Sequence, residues 1–168
     1  TSFHTTNTYD QKGNVLVSEG INALDGEFKD TYTYEYDANG NAVYGKGDVT
    51  NPWSFNEFRQ RFDDRGNMIE FVGKCDKTSN LTHRELAYDS NNNCIYEKSY
   101  ESDYAEIAAV TEYLYDENNN CLCKMINSPN YTYADYYEYD SKGRPTKYYY
   151  QSSDSEDSFT LYVYEELS

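Results

Sequence analysis

One short motif recurs six times along this chain of 168 residues and constrains its fold more than any other feature of the sequence. In the copy that begins at Tyr36 it reads Tyr-Asp-Ala-Asn-Gly-Asn. The Asp of successive copies is residue 10, 37, 63, 89, 116 and 140, so the spacings are 27, 26, 26, 27 and 24. A further step of 25 reaches Tyr164-Glu165, a seventh copy that lacks the turn. A fixed period of this length is the signature of a repeat architecture.

Each copy contains the residues of a tight β-turn. An Asp at the first position accepts a hydrogen bond from the backbone N–H two residues on. The fourth position must be left-handed if the turn closes a hairpin through a bulge, and Gly and Asn tolerate this conformation best. The sequence therefore predicts six hairpin tips, with these structural turn residues: Asp10, Gly13, Asp37, Gly40, Asp63, Gly66, Asp89, Asn92, Asp116, Asn119, Asp140 and Gly143.

Turn residues also separate the tips, at 24–26, 51–52, 78–80, 102–103, 128–130 and 153–155. Between the two sets of turns the sequence predicts thirteen strands, roughly 2–10, 14–22, 27–37, 41–48, 55–63, 67–76, 81–89, 93–101, 107–116, 120–127, 131–140, 144–152 and 157–166. The predicted fold is an all-β antiparallel meander of about thirteen strands, built from six repeated hairpins. Because open sheets this wide usually curl or close, we expect a strongly curved or barrel-like sheet.

Aromatic residues alternate on the strands that enter the tips, as Tyr32, Tyr34 and Tyr36 do. On the returning strands the residue five after the Asp falls on the same face as these rings. The next residue is expected to face the other way. It is apolar in five copies, as Leu16, Val43, Ile69, Ile95 and Leu122, and it is Thr146 in the sixth. The pattern predicts a sheet whose second face is partly covered.

The composition excludes some classes of partner. The formal net charge of −16 argues against nucleic acid and against anionic membrane surfaces, which require basic patches. The 21 tyrosines supply buriable area and strand propensity, so the scarcity of Leu, Ile, Val and Phe does not indicate disorder. Cys94 and Cys121 occupy equivalent positions two strands apart, beyond disulfide reach. We expect these two residues, Cys75 and Cys123 to be thiols.

The motif, seen best in residues 34–41 and 137–144, resembles the YD repeat of RHS-type bacterial surface and toxin-shell proteins. It is also similar to Tyr-rich repeats of secreted proteins from gut bacteria. The resemblance covers nearly the whole chain and implies a curved β-sheet that is extracellular or on the bacterial cell surface. RHS repeats enclose a toxin or bind carbohydrate, and a shell needs many more than six copies. We therefore expect residues 1–168 to be a single repeat domain or a slice of a longer protein.

Two other interpretations start from the same tips. Asp37, Asn39 and Asn41 have the spacing of the first calcium ligands of an EF-hand loop, but Ala42 stands where that loop needs Gly, and three other copies carry Lys or Arg at the third place. An outer-membrane β-barrel also has alternating strands with aromatic residues, but charged residues interrupt both faces here. A calcium-dependent binding module and an outer-membrane barrel remain the alternatives.

We find no metal ligand set, nucleophile motif or phosphate loop, and expect neither a cofactor nor an enzyme activity. The candidate ligand-binding residues are Trp53 and Phe55, in the longest loop between tips. The expected function is a non-enzymatic, structural or binding module whose partner is a protein or a glycan. Nucleic-acid binding and membrane insertion are not expected. The sequence leaves the oligomeric state open.

Overall fold

The computed structural model describes residues 3–22, 28–49, 55–76, 80–100 and 106–162. These residues contain no helix, and thirteen antiparallel strands form one meander sheet in sequence order. The strands are β1 Phe3–Tyr9, β2 Val15–Asn22, β3 Phe28–Tyr36, β4 Ala42–Asp48, β5 Glu57–Phe62, β6 Met68–Cys75, β7 Asn80–Tyr88, β8 Cys94–Tyr100, β9 Ile107–Tyr115, β10 Cys121–Asn127, β11 Thr132–Tyr139, β12 Pro145–Ser152 and β13 Ser158–Leu161.

The all-β class, the number of strands and the meander order predicted from the sequence are confirmed. All six tips close hairpins through the same two backbone hydrogen bonds. The N–H of the Asp donates to the carbonyl of the residue four positions later, and the N–H of the residue three positions later donates to the carbonyl of the Asp. The residue three after the Asp, which is the fourth position of the turn, has a positive φ in every copy, from 66° at Asn119 to 88° at Gly13. Of the turns between tips, those at 128–130 and 153–155 are described, and the others lie largely outside the described residues. Strong curvature or closure of the sheet stays a prediction.

A β-bulge follows the tips and corrects the predicted register. In the first hairpin Thr8 lies opposite Val17 and Tyr9 opposite Val15, so that Leu16 is an extra residue. The same shift makes Val43, Ile69, Leu122 and Thr146 extra residues in their hairpins. These are the residues that we expected to point away from the tyrosines. Because a bulge residue lies outside the alternation, they are not evidence of a covered second face.

The strands group into two compact units, divided between Glu85 and Leu86. The expectation of a single domain stays a prediction. In the first unit one face, which we call the tyrosine face, carries Tyr34 and its cross-strand partners Gly45 and Phe58. The buried Phe71, Val49 and Cys75 belong to this unit, with 7%, 3% and 3% of their surface exposed.

Aromatic rings lie directly over glycines on this tyrosine face. A Cβ added to Gly45 would stand 2.2 Å from the ring of Phe58, and one on Gly47 would stand 2.7 Å from the ring of Tyr32. A ring chain also links Tyr32, Tyr34, Phe58 and Phe71, with centroids 6.1 to 6.3 Å apart. Rings therefore cover backbone that a single-layer sheet would otherwise expose to water.

Candidate functional site

The aspartate of each tip is the centre of a fixed set of hydrogen bonds. In the second tip one carboxylate oxygen of Asp37 accepts the backbone N–H groups of Asn39 and Asn41, both at 2.9 Å. The other oxygen accepts the side-chain amide of Asn41, also at 2.9 Å. The last tip repeats this pattern with the guanidinium of Arg144 on Asp140. The carboxylate thus binds the N–H groups that a tight turn leaves without a strand partner.

These donors favour the ionised carboxylate. The amide of Asn41 and then its backbone N–H lower the pKa of Asp37, and the backbone N–H of Arg144 is the largest cause that lowers the pKa of Asp140. The same three-donor pattern conflicts with the calcium interpretation. A calcium ion needs oxygen ligands, whereas Asn41 turns its NH₂ group towards the carboxylate and would have to rotate away.

The fourth and fifth tips contact each other through Asn119, which stands where four copies have Gly. The side-chain oxygen of Asn119 accepts hydrogen bonds from the amides of Asn91 and Asn93 in the preceding tip, at 3.0 and 2.9 Å. Where the residue is Gly40, the amide oxygen of Asn14 lies 3.6 Å from the position that a Cβ would take. Asn119, in the left-handed position, therefore also joins its tip to the previous one.

In the second, fifth and sixth copies a hydroxyl of the motif links the repeat to the one before it. The tyrosine that precedes the tip aspartate donates to the backbone carbonyl five residues after the previous aspartate: Tyr36 to Val15 at 2.7 Å, Tyr115 to Cys94 at 3.0 Å and Tyr139 to Cys121 at 2.9 Å. We did not predict this bond. Its signal in the sequence is the choice of Tyr rather than Phe before the Asp, in every copy except Phe62.

In the second unit the face that carries Tyr113, Tyr137 and Tyr148, which we also call the tyrosine face, holds a carboxylate among aromatic rings. Asp135 accepts a hydrogen bond of 2.6 Å from the hydroxyl of Tyr148, and this bond is the main cause that raises the pKa of Tyr148. On the same face the pKa of Tyr113 is raised to about 12, mainly by burial and also by the negative charge of Glu97. These hydroxyls stay protonated at neutral pH, so they act here as donors and packing groups.

Of the two ligand residues predicted from the sequence, the structure describes Phe55. Trp53 lies outside the described residues. Phe55 is half-buried, and its ring packs edge-on against Phe71 with centroids 5.3 Å apart. Phe55 is therefore a packing residue of the first unit, and its ligand-binding role stays a prediction. The twelve predicted turn residues all occupy the tips, where they serve the hairpins.

Among the described residues, thiols and histidines are not assembled into a metal centre. Cys75 is buried. The ring of His83 contacts the carboxylate of Glu70, with 3.2 Å between Nε2 and Oε1. None of the four cysteines, all of which lie within the described residues, forms a disulfide. Within the described ranges, no group of three or more His, Cys, Asp or Glu side chains could hold a metal ion. The described residues also include no helix long and apolar enough to cross a membrane.

Comparison with known proteins shows the fold. No family model matches the chain. No curated protein matches it either. Among solved structures, the crystal structures of TcdB2-TccC3-Cdc42, TcdB2-TccC3-TEV and TcdB2-TccC3 are similar to it, with TM-scores of 0.69, 0.67 and 0.69 and identities of 16%, 16% and 15%.

The similarity to these structures covers 95% of this chain and 9% of each matched chain. Our chain thus spans about a tenth of the length of the proteins that it resembles. At this identity the likeness defines the class of fold alone, a repeated antiparallel hairpin meander. It supports the resemblance to RHS-type repeats at the level of architecture.

Proposed function

We propose that this chain is a non-enzymatic wall module of a secreted bacterial repeat protein, with YD-type hairpins as its units. Its role would be to supply a curved stretch of sheet that presents its faces to a protein or a glycan. The observation that carries the proposal is the hydroxyl bond from one repeat to the previous one, as from Tyr139 to Cys121. A bond repeated with the period of the sequence is what an extendable wall requires.

The chemistry of the tips supports a structural role. The six motif carboxylates, which are the most regularly placed charged groups of the chain, accept N–H groups of their own turns. Groups that hold the backbone in this way are poorly placed to transfer protons to a substrate. The fold neighbours, of which the chain spans 9%, support a place within a much longer protein.

Limited proteolysis of the full-length parent protein tests this proposal. A wall module should resist cleavage at both of its borders, because its edge strands would continue into neighbouring repeats. Protease treatment of intact cells and assay of the culture medium should also show that the protein lies outside the cytoplasm. Release of the chain as a separate domain, or an exclusively cytoplasmic location, would contradict the proposal.

A further inference from the structure

An uncharged row of side chains crosses five strands of the second unit, on the face opposite the tyrosine face. Consecutive members are cross-strand partners, so they share one face. The row runs from β9 to β13 and consists of Leu114, Cys123, Tyr136, Tyr149 and Phe159. Leu114, Tyr136 and Phe159 have 60%, 39% and 64% of their surface exposed. We call these five residues the uncharged row.

The first unit has a different row at the equivalent repeat positions. This row crosses β3 to β7, and its members have the same distances in sequence from the motif aspartates as the members of the uncharged row. They are also consecutive cross-strand partners: Glu35, Tyr44, Arg59, Val72 and His83. Glu35 and Arg59 are exposed to solvent. The hairpin fold therefore accepts charged side chains at these positions, and the uncharged row is not a requirement of folding.

The centre of the uncharged row is concave and apolar. The rings of Tyr136 and Tyr149 lie 5.9 Å apart. Together with Glu138 and Lys147, which form an ion pair of 2.7 Å, they line a shallow cavity of about 330 Å³. Leu161, with 63% of its surface exposed, extends the apolar surface beside Lys147. Such contiguous exposed apolar surface is typical of a protein-binding site.

The rim of this surface is acidic. Glu112 is exposed next to Leu114 on β9, and the side chain of Glu138 is 64% exposed. Asp157 accepts the hydroxyl of Tyr149 at 2.7 Å. Lys147, a basic residue of the rim, is already paired with Glu138. With a formal net charge of −16 on each chain, two copies would repel one another, and a positively charged partner would be attracted.

We propose that the uncharged row is a docking surface for a basic amphipathic helix of a partner protein. Four strand spacings of about 4.8 Å make the row about 19 Å long, which matches a helix of about 13 residues. The apolar stripe of the helix lies on the row, and its basic residues reach the acidic rim. This inference rests on the proposed wall module only in that such a module presents a face to a partner.

The test uses calorimetric titration of the chain with a synthetic Leu/Lys amphipathic peptide of about 14 residues, in about 150 mM salt. We expect one peptide to bind. The triple change Leu114→Glu, Tyr136→Arg and Phe159→His installs the residues of the first unit and leaves the formal net charge unchanged. We expect it to weaken binding by about tenfold or more, since exposed apolar anchors carry most of the affinity of such interfaces.

The reciprocal change installs the uncharged row in the first unit. Glu35→Leu, Arg59→Tyr and His83→Phe also conserve the formal net charge and should raise the stoichiometry from one peptide to two. If the first triple variant does not fold, Tyr136→Thr alone, which also leaves the formal net charge unchanged, makes the same test. Circular dichroism of each variant confirms that the sheet is retained.

Several outcomes would overturn the proposal. Equal binding of the peptide to the native chain and the triple variant would show that general acidity attracts it. Equal binding of a Leu/Glu peptide would remove the charge argument. A self-association that the triple variant abolishes, or binding of an oligosaccharide but no peptide, would assign the row to another occupant. These results leave the proteolysis test of the wall module unaffected, so the two proposals can fail separately.

Discussion

The hydroxyl of Tyr139 lies 2.9 Å from the carbonyl oxygen of Cys121, which belongs to the preceding repeat. Tyr139→Phe removes this bond and leaves a partly buried carbonyl without its donor. We expect a loss of about 1 kcal/mol in the free energy of unfolding, measured by urea denaturation.

Tyr9→Phe is the matched control for this substitution. Tyr9 precedes the aspartate of the first copy and is 58% exposed, and its hydroxyl accepts a hydrogen bond of 3.3 Å from the side chain of Asn7 on the same strand. It should change stability by less than about 0.5 kcal/mol. If Tyr139→Phe and Tyr9→Phe changed the free energy of unfolding equally, the bond between repeats would not be stabilising.

Gly40 has a φ of +87°, and we expect its substitutions to separate by residue type. Gly40→Val should cost about 1–2 kcal/mol, because a β-branched side chain is strained in the left-handed region. Gly40→Asn should be nearly neutral, since Asn92 and Asn119 already have positive φ in their tips. Ala38→Val, at an exposed position of the same turn, is the control. Thermal unfolding that ranks Gly40→Asn with Gly40→Val would contradict the bulged-turn assignment.

Asp37→Asn should destabilise the chain at neutral pH and much less in acid. The pKa of Asp37 in the folded chain lies below the ordinary value of 3.8, so its stabilising contribution is complete above pH 3.8. That contribution is lost as the pH falls through the lowered folded value. The difference in melting temperature between native chain and variant should therefore shrink between pH 5 and pH 2. A difference that stays constant over this range would mean that the charge of Asp37 is unimportant.

Calcium should leave the melting temperature unchanged. The carboxylate of Asp37 already accepts three N–H groups, and the amide of Asn41 presents its NH₂ group rather than its oxygen. Differential scanning fluorimetry with about 1 mM CaCl₂, against MgCl₂ as the control, measures this directly, since sites in extracellular modules bind at about that concentration. A rise in melting temperature that only calcium produces would revive the calcium-dependent alternative.

Tyr113 should contribute to unfolding in alkali. Its pKa is raised from 10.0 to about 12 in the folded chain, so its stabilising contribution is complete below pH 10.0 and is lost as the pH rises through 12. Tyr113→Phe should make the stability less dependent on pH in this interval, as followed by denaturant titration. An alkaline titration followed by the absorbance of tyrosinate should show one fewer hydroxyl with a raised pKa in the variant than in the native chain. An unchanged titration curve would argue against a buried Tyr113 hydroxyl.

The sequence by itself determined the tips, the strands and their order. A turn is a local structure, and Asp37 and Gly40 reveal it because the Asp caps nearby N–H groups and the Gly takes a φ that other residues avoid. The period then repeats this local information, so thirteen strands and a meander follow. The aromatic alternation also identified the face of Tyr34 as the one that packs.

Only the tertiary structure decided what crosses between strands. The bulge at Leu16 depends on the register of two strands, which a single alternating pattern cannot specify. The bond from Tyr139 to Cys121 and the row from Leu114 to Phe159 join residues 18 and 45 positions apart in the chain. Such contacts depend on how neighbouring strands align, and a bulge of one residue shifts every partner beyond it. The repeat can therefore be predicted from the sequence, whereas the surfaces of the sheet depend on how its strands align.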